Sequence, residues 1–207
     1  MIKMTRIAIL IGVALLPLGC AIAPSNEEIA AQSTAMLQAS FKATGQAGLD
    51  RLNQDETQRA CSAIGNKAVA KDVAEKIEKL NLATIRYPAD GKYLGDWKNG
   101  EKIAQEGRGK QFSDDVAGPV GANCYACHQL TPQEVSYGTI GPSLYGFGKL
   151  RGYGSDIQRY AYGKLFNAEA FSACTTMPRF GHNGILTEQQ LKDVTALLMD
   201  PQSPVNK

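Results

Sequence analysis

Apolar positions are arranged along this chain in three ways, and each predicts a different kind of element. At the N-terminus they are continuous over 7–18, preceded by Lys3 and Arg6 and followed by small residues. A charged start and an apolar run too short to span a bilayer comfortably are the layout of a secretory signal peptide. Further on, apolar positions recur at helical spacing. A short helix is expected over 26–41, with Ile29, Met36 and Leu37 on one side. A stronger pattern covers 66–80, where Val69, Val73, Ile77 and Leu80 face one way and lysines and acids the other; this reads as an amphipathic helix lying on a main domain. Another helix is expected over 99–108, carrying Ile103 and Ala104. The last, after Thr187, is the best specified. Thr187 and Gln190 form a capping box, Leu186 and Leu191 a hydrophobic staple, and Leu191, Val194, Leu197 and Leu198 an apolar stripe that Asp200-Pro201 ends.

Elsewhere the pattern is broken. Pro88, Gly91 and Gly95 mark 87–95 as a linker, and glycines and prolines over 107–121 interrupt the chain before Cys124. The expected organisation is a signal peptide at 1–23, a helical N-terminal extension and linker at 24–90, and an all-α main domain at 91–207. Hydrophobic residues make up 43% and charged residues 20%, as in ordinary globular proteins. The net charge of +2 gives no sign of a nucleic-acid partner or a strongly anionic one.

The five cysteines sort by position. Leu18-Gly19-Cys20 partly fits a lipoprotein processing site, and Ala21-Ile22-Ala23 partly fits ordinary cleavage; Pro17 and Pro24 weaken each in turn. Membrane attachment is expected only if Cys20 is lipidated. Cys61 and Cys174 remain as a disulfide pair in an oxidising compartment, worth about 4–5 kcal/mol for so long a loop. Two separate buried thiols are the alternative.

Cys124-Tyr125-Ala126-Cys127-His128 is a C-x-x-C-H motif, the attachment signature of haem c. Two thiols three positions apart on a helical turn can reach both vinyl groups of one porphyrin, and the adjacent histidine is then held beneath the iron. A thioredoxin-like pair would need a βαβ context, and a zinc site would need more ligands nearby. The second axial ligand comes from a short list. Met177 precedes Pro178, which holds it extended in a loop; Met199 lies near the stripe of the last helix, where core packing is its role; His182 is the remaining imidazole. Met177 is the candidate, with His182 or an exchangeable position as alternatives. Pro142 can pack on the proximal ring while nearby backbone accepts the second proton of His128. Leu144, Tyr145, Tyr153, Tyr160, Phe166, Phe171 and Phe180 are candidate haem contacts or ordinary core, and Arg151 a propionate partner or a surface residue. Thioether ligation would favour reduced iron and leave no vacancy for substrate, which points to electron transfer.

The segments 123–128, 138–144 and above all 166–206, with Met-Pro-Arg-Phe-Gly-His-Asn-Gly at 177–184, resemble SoxX, the mono-haem cytochrome subunit of SoxAX complexes. The resemblance implies a cytochrome c fold with one covalent haem c and iron ligation by His128 and Met177. It also implies a periplasmic heterodimer with a SoxA-type cytochrome that joins thiosulfate oxidatively to a cysteine of the SoxYZ carrier. This chain would then be a non-catalytic, electron-accepting subunit that passes electrons to a small cytochrome. Residues 25–85 support the resemblance less.

Overall fold

The computed structural model describes residues 23–207, so the expected signal peptide and Cys20 lie outside it. The described residues are helical, without a strand and with one isolated bridge between Thr44 and Ala47. None of these helices is long and apolar enough to cross a membrane. The chain divides after Ser40 into two compact units.

The first unit contains α1 (Asn26–Ser40). Ser25 and Glu28 cap it reciprocally: the Glu28 N–H donates to the Ser25 hydroxyl at 3.2 Å and the Ser25 N–H to the Glu28 carboxylate at 2.8 Å. None of its residues is buried, and Ile29, Met36 and Leu37 all stand exposed.

The second unit contains α2 (Glu56–Ile64), α3 (Lys71–Leu82), α4 (Trp97–Gln105), α5 (Phe147–Arg151), α6 (Ser155–Phe166) and α7 (Glu188–Met199). Helix α7 starts at the expected capping box, with Thr187 accepting from the Gln190 N–H and Gln190 accepting from the Thr187 N–H. Its burial goes well beyond a stripe, since eight of its residues from Leu191 to Met199 are shielded. Helix α4 crosses it so closely that a Cβ on Gly100 would lie 2.6 Å from the Asp193 carbonyl carbon and 3.1 Å from Leu197 Cβ. Ala104, fully buried, continues that small-residue face. Helix α4 begins earlier than the pattern suggested because Asp96 caps it, accepting from the Lys98 N–H at 2.9 Å.

Three further features depart from the sequence reading. The stretch 87–95 is irregular but anchored rather than a linker: Tyr93 is buried, Tyr87 packs beside it at 6.1 Å, and the Gly95 N–H donates to the Lys192 carbonyl at 3.0 Å. Helix α3 is displaced to Lys71–Leu82, and of its expected stripe only Ile77 is buried, while Leu80 is exposed. Its other buried residue is polar. Asn81 donates to Thr57 and to the Ile77 carbonyl, each at 2.9 Å, and accepts from Asn167 at 2.9 Å. Asn167 itself is fully buried and also donates to Thr84 at 2.9 Å. A satisfied polar bridge thus fastens α2 and α3 to the turn Ala168–Ala170. Finally, α6 was not anticipated. Its aromatic Tyr162 and Phe166 fill the core with Tyr93, Phe180 and Leu191.

Candidate functional site

The C-x-x-C-H motif forms one tight turn, which its own backbone builds. Asn123 opens it in the left-handed region (φ 45°), and the Cys124 carbonyl accepts from the N–H groups of both Cys127 (3.1 Å) and His128 (2.9 Å). That turn brings two half-buried sulfurs and an imidazole within five residues. The segment 138–144 runs alongside it through three backbone bonds of 2.8 Å: Gly138 to Tyr125, Gly141 to Cys127 and Leu144 to Gln129.

This pairing fixes the histidine. His128 Nδ1 lies 2.7 Å from the Pro142 carbonyl oxygen. A carbonyl can only accept, so Nδ1 carries the proton and Nε2 keeps its lone pair for a metal. Gly141 is flat against the same ring: an added Cβ would stand 2.5 Å from Nδ1 and 2.7 Å from Nε2, inside contact distance. The first cysteine sits in surroundings suited to an uncharged sulfur, since burial, with Cys127 adding to it, pushes the Cys124 thiol up to about 12. A reactive or metal-binding thiolate would need the opposite shift. Among the described residues no cluster of three or more His, Cys, Asp or Glu could hold a metal ion by itself. A single free imidazole nitrogen beside two half-buried sulfurs, with no room for a side chain at Gly141, fits a covalently attached iron porphyrin. Cys124, Cys127 and His128 are the residues that fit it.

The remaining predicted contacts are distributed as follows. Leu144 and Cys124 are half-buried against the cluster of Tyr125, Leu130, Leu197 and Met199. Met177, also half-buried, packs on the other cluster, which contains Tyr93, Phe166 and Phe180 and is joined by Val120 and Ala122 from the approach to the motif. Tyr160 and Phe171 pair edge to face at 5.1 Å. The Tyr145 hydroxyl donates to the Lys207 carbonyl at 2.6 Å, and Tyr153, on the surface, lies beneath Gly148. Arg151 stacks over Phe147 at 4.9 Å and Tyr160 at 5.9 Å. His182 lines a separate cavity of about 560 Å³ with Thr84, Arg86 and Phe166, none of which belongs to the haem motif.

Cys61 and Cys174 are joined in the expected disulfide, spanning 113 positions. One feature near the site has no counterpart in the sequence reading: Arg179, buried, pairs with Asp55 at 2.6 Å. Its one local signal was Asp55 with Gln58, a capping box that begins α2.

An all-α domain folded around such a turn defines the class of protein: a c-type cytochrome. Residues 107–200 match the cytochrome c family. A protein of Aquifex aeolicus (strain VF5), described as an uncharacterized lipoprotein, is 40% identical over 158 residues, which span 74% of this chain and 73% of that protein. The chain belongs to the cytochrome c family and is an electron-transfer haem protein, with haem c bound covalently.

Proposed function

We propose that this cytochrome is the electron-accepting subunit of a SoxAX-type complex, with one haem attached at Cys124 and Cys127 and its iron between His128 and Met177. When bound, the haem supplies a one-electron iron couple. The chain's own residues prepare the site for it. Pro142 holds the His128 proton on Nδ1, which keeps Nε2 aimed and basic. Gly141 keeps the loop against the ring without displacing it. Met177 offers a neutral thioether from a half-buried position against the cluster that contains Phe180 and Tyr93. A sulfur ligand of this kind raises the potential relative to a second imidazole, which suits an acceptor. The observation that carries the ligand assignment is the separation of the two downstream candidates. Met177 packs against the same core cluster as Val120 and Ala122, which lead into the motif, whereas His182 faces a cavity that contains none of it.

The assignment to a sulfur-oxidising complex rests on the resemblance of 177–184 and the surrounding C-terminal segment. It implies a SoxA-type partner, with SoxYZ and a small cytochrome meeting the complex transiently. Export to the periplasm agrees with the apolar N-terminal run, and the description of the Aquifex relative as a lipoprotein supports acylation at Cys20.

Two measurements test this reading. Natively expressed protein is expected to copurify with a second, larger cytochrome; isolation as a lone, fully functional cytochrome would instead make it a free-standing electron carrier. Met177→Ala is expected to abolish the far-red methionine-to-iron band of the oxidised holoprotein and to lower its potential. An unchanged band rules out Met177 as ligand.

A further inference from the structure

We infer that residues 55–82 act as a strap that holds the Met177 loop from both flanks, with the Cys61–Cys174 disulfide and the Asp55–Arg179 ion pair as its two fastenings. This rests on the reading of Met177 as an axial ligand. Met177 comes three positions after Cys174 and two before Arg179, in a stretch with no regular helix.

Within the loop few contacts hold it: the Thr175 N–H donates to the Ser172 carbonyl at 3.3 Å, and the Met177 N–H to the Thr175 hydroxyl at 3.3 Å. The stronger contacts come from outside. On the leading side, Cys174 is bonded covalently to Cys61, its N–H donates to Glu169 at 2.6 Å, and the Ala173 N–H donates to Glu78 of α3 at 3.2 Å. On the trailing side, the Arg179 side chain is only 8% exposed and its guanidinium meets Asp55 at 2.6 Å.

Both fastenings reach the same helix. One oxygen of Asp55 caps α2 by accepting from the Gln58 N–H at 2.8 Å, and the other holds Arg179. Cys61 follows six positions later, about 9 Å along the helix axis. A loop fixed at both ends to one rigid helix has few conformations in which its central thioether could swing away. Each fastening lost makes that departure easier. Asp55 and the disulfide are positioning groups: they touch neither iron nor haem and act through the loop that carries Met177.

Full-length holoprotein carrying Asp55→Asn, and the double variant Cys61→Ala/Cys174→Ala, test this against the wild type. Glu75→Gln serves as the control, because it alters the exposed Lys71–Glu75 pair of the same strap away from the loop. Carbon monoxide binding to the reduced protein reports departure of the methionine. The temperature at which the far-red band fades, set against the loss of helical circular dichroism, reports loop opening ahead of global unfolding. Asp55→Asn and the double variant are each expected to speed carbon monoxide binding about fivefold or more, the low end of ordinary coupling between sites. In both, the band fades well before the helices melt, and Glu75→Gln behaves as wild type. Wild-type behaviour in both variants overturns the strap, as does wild-type behaviour of Asp55→Asn alone should the double variant yield no folded holoprotein. An equal response from Glu75→Gln overturns it too, by revealing a general loss of stability. A wild type lacking the band sinks the Met177 assignment and the strap together, whereas a wild-type band indifferent to both variants sinks the strap alone.

Discussion

Replacing Gly141 by alanine adds one methyl group at the point where the chain is pressed against the proximal imidazole. The new Cβ would stand 2.5 Å from His128 Nδ1 and closer still to Cε1, and ordinary contact begins at 3.4 Å, so the ring or the loop must retreat by at least 0.9 Å. The His128–Pro142 hydrogen bond, 2.7 Å long and made by the next residue, cannot absorb such a shift without stretching beyond bonding range. Overpacking of this kind costs about 1–3 kcal/mol. The holoprotein is therefore expected to lose about 1–3 kcal/mol in denaturant unfolding. Its potential also moves, because the imidazole is less basic once Pro142 no longer holds its proton. Unfolding followed by haem absorbance, with a potentiometric titration on the same preparation, measures both. A Gly141→Ala holoprotein within about 0.5 kcal/mol of wild type and with an unchanged potential would refute the claim that this glycine sets the ring.

The polar bridge offers a second test: Asn167→Ala leaves buried Asn81 and half-buried Thr84 without their donor and is expected to destabilise by about 3 kcal/mol in chemical denaturation. Losing the disulfide frees a loop of 113 positions, and in the chain-entropy model the double alanine variant unfolds about 5 kcal/mol more easily than wild type by the same measurement. Acid behaviour follows from Asp55. Burial alone would raise its carboxyl, but the Gln58 N–H and Arg179 outweigh burial and hold it below the ordinary 3.8. A depressed folded-state value means that the stabilisation is complete above the unfolded value and is lost as pH falls through the folded one. The thermal midpoint of Asp55→Asn is accordingly expected to change less between neutral pH and acid than that of wild type. A steeper acid loss in the variant contradicts the pairing.

How far the sequence disclosed the fold depended on whether an element was ordered by its own residues or by distant ones. Helix α7 was legible because its capping box, staple and apolar positions are all local. Helix α2 was hard to read because it buries only Thr57, and its disulfide and ion-pair partners lie more than 100 positions away. Helix α6 was obscured by its own composition: Gly163 interrupts it, and its large residues are the aromatics that also suit a haem pocket. Phe166 and Phe180 pack in one core cluster with Tyr93 and Leu191, and Arg151 stacks over Phe147. In α3 the expected hydrophobic face gave way to Asn81, whose burial depends on Thr57 and Asn167. A lone asparagine in a charged helix carries no mark of such partners. The turn at Cys124, by contrast, was readable because its geometry needs only five consecutive residues.

The close crossing of α4 and α7 has a consequence for how the domain holds together. Gly100 and Asp193 touch across 93 intervening bonds of chain connectivity, and closing so long a segment is entropically slow and unrewarded until both helices arrive. Neither helix has another partner of comparable extent, so the two stand or fall as one cooperative unit. Trimming the domain from either side would thus dissolve it rather than shorten it.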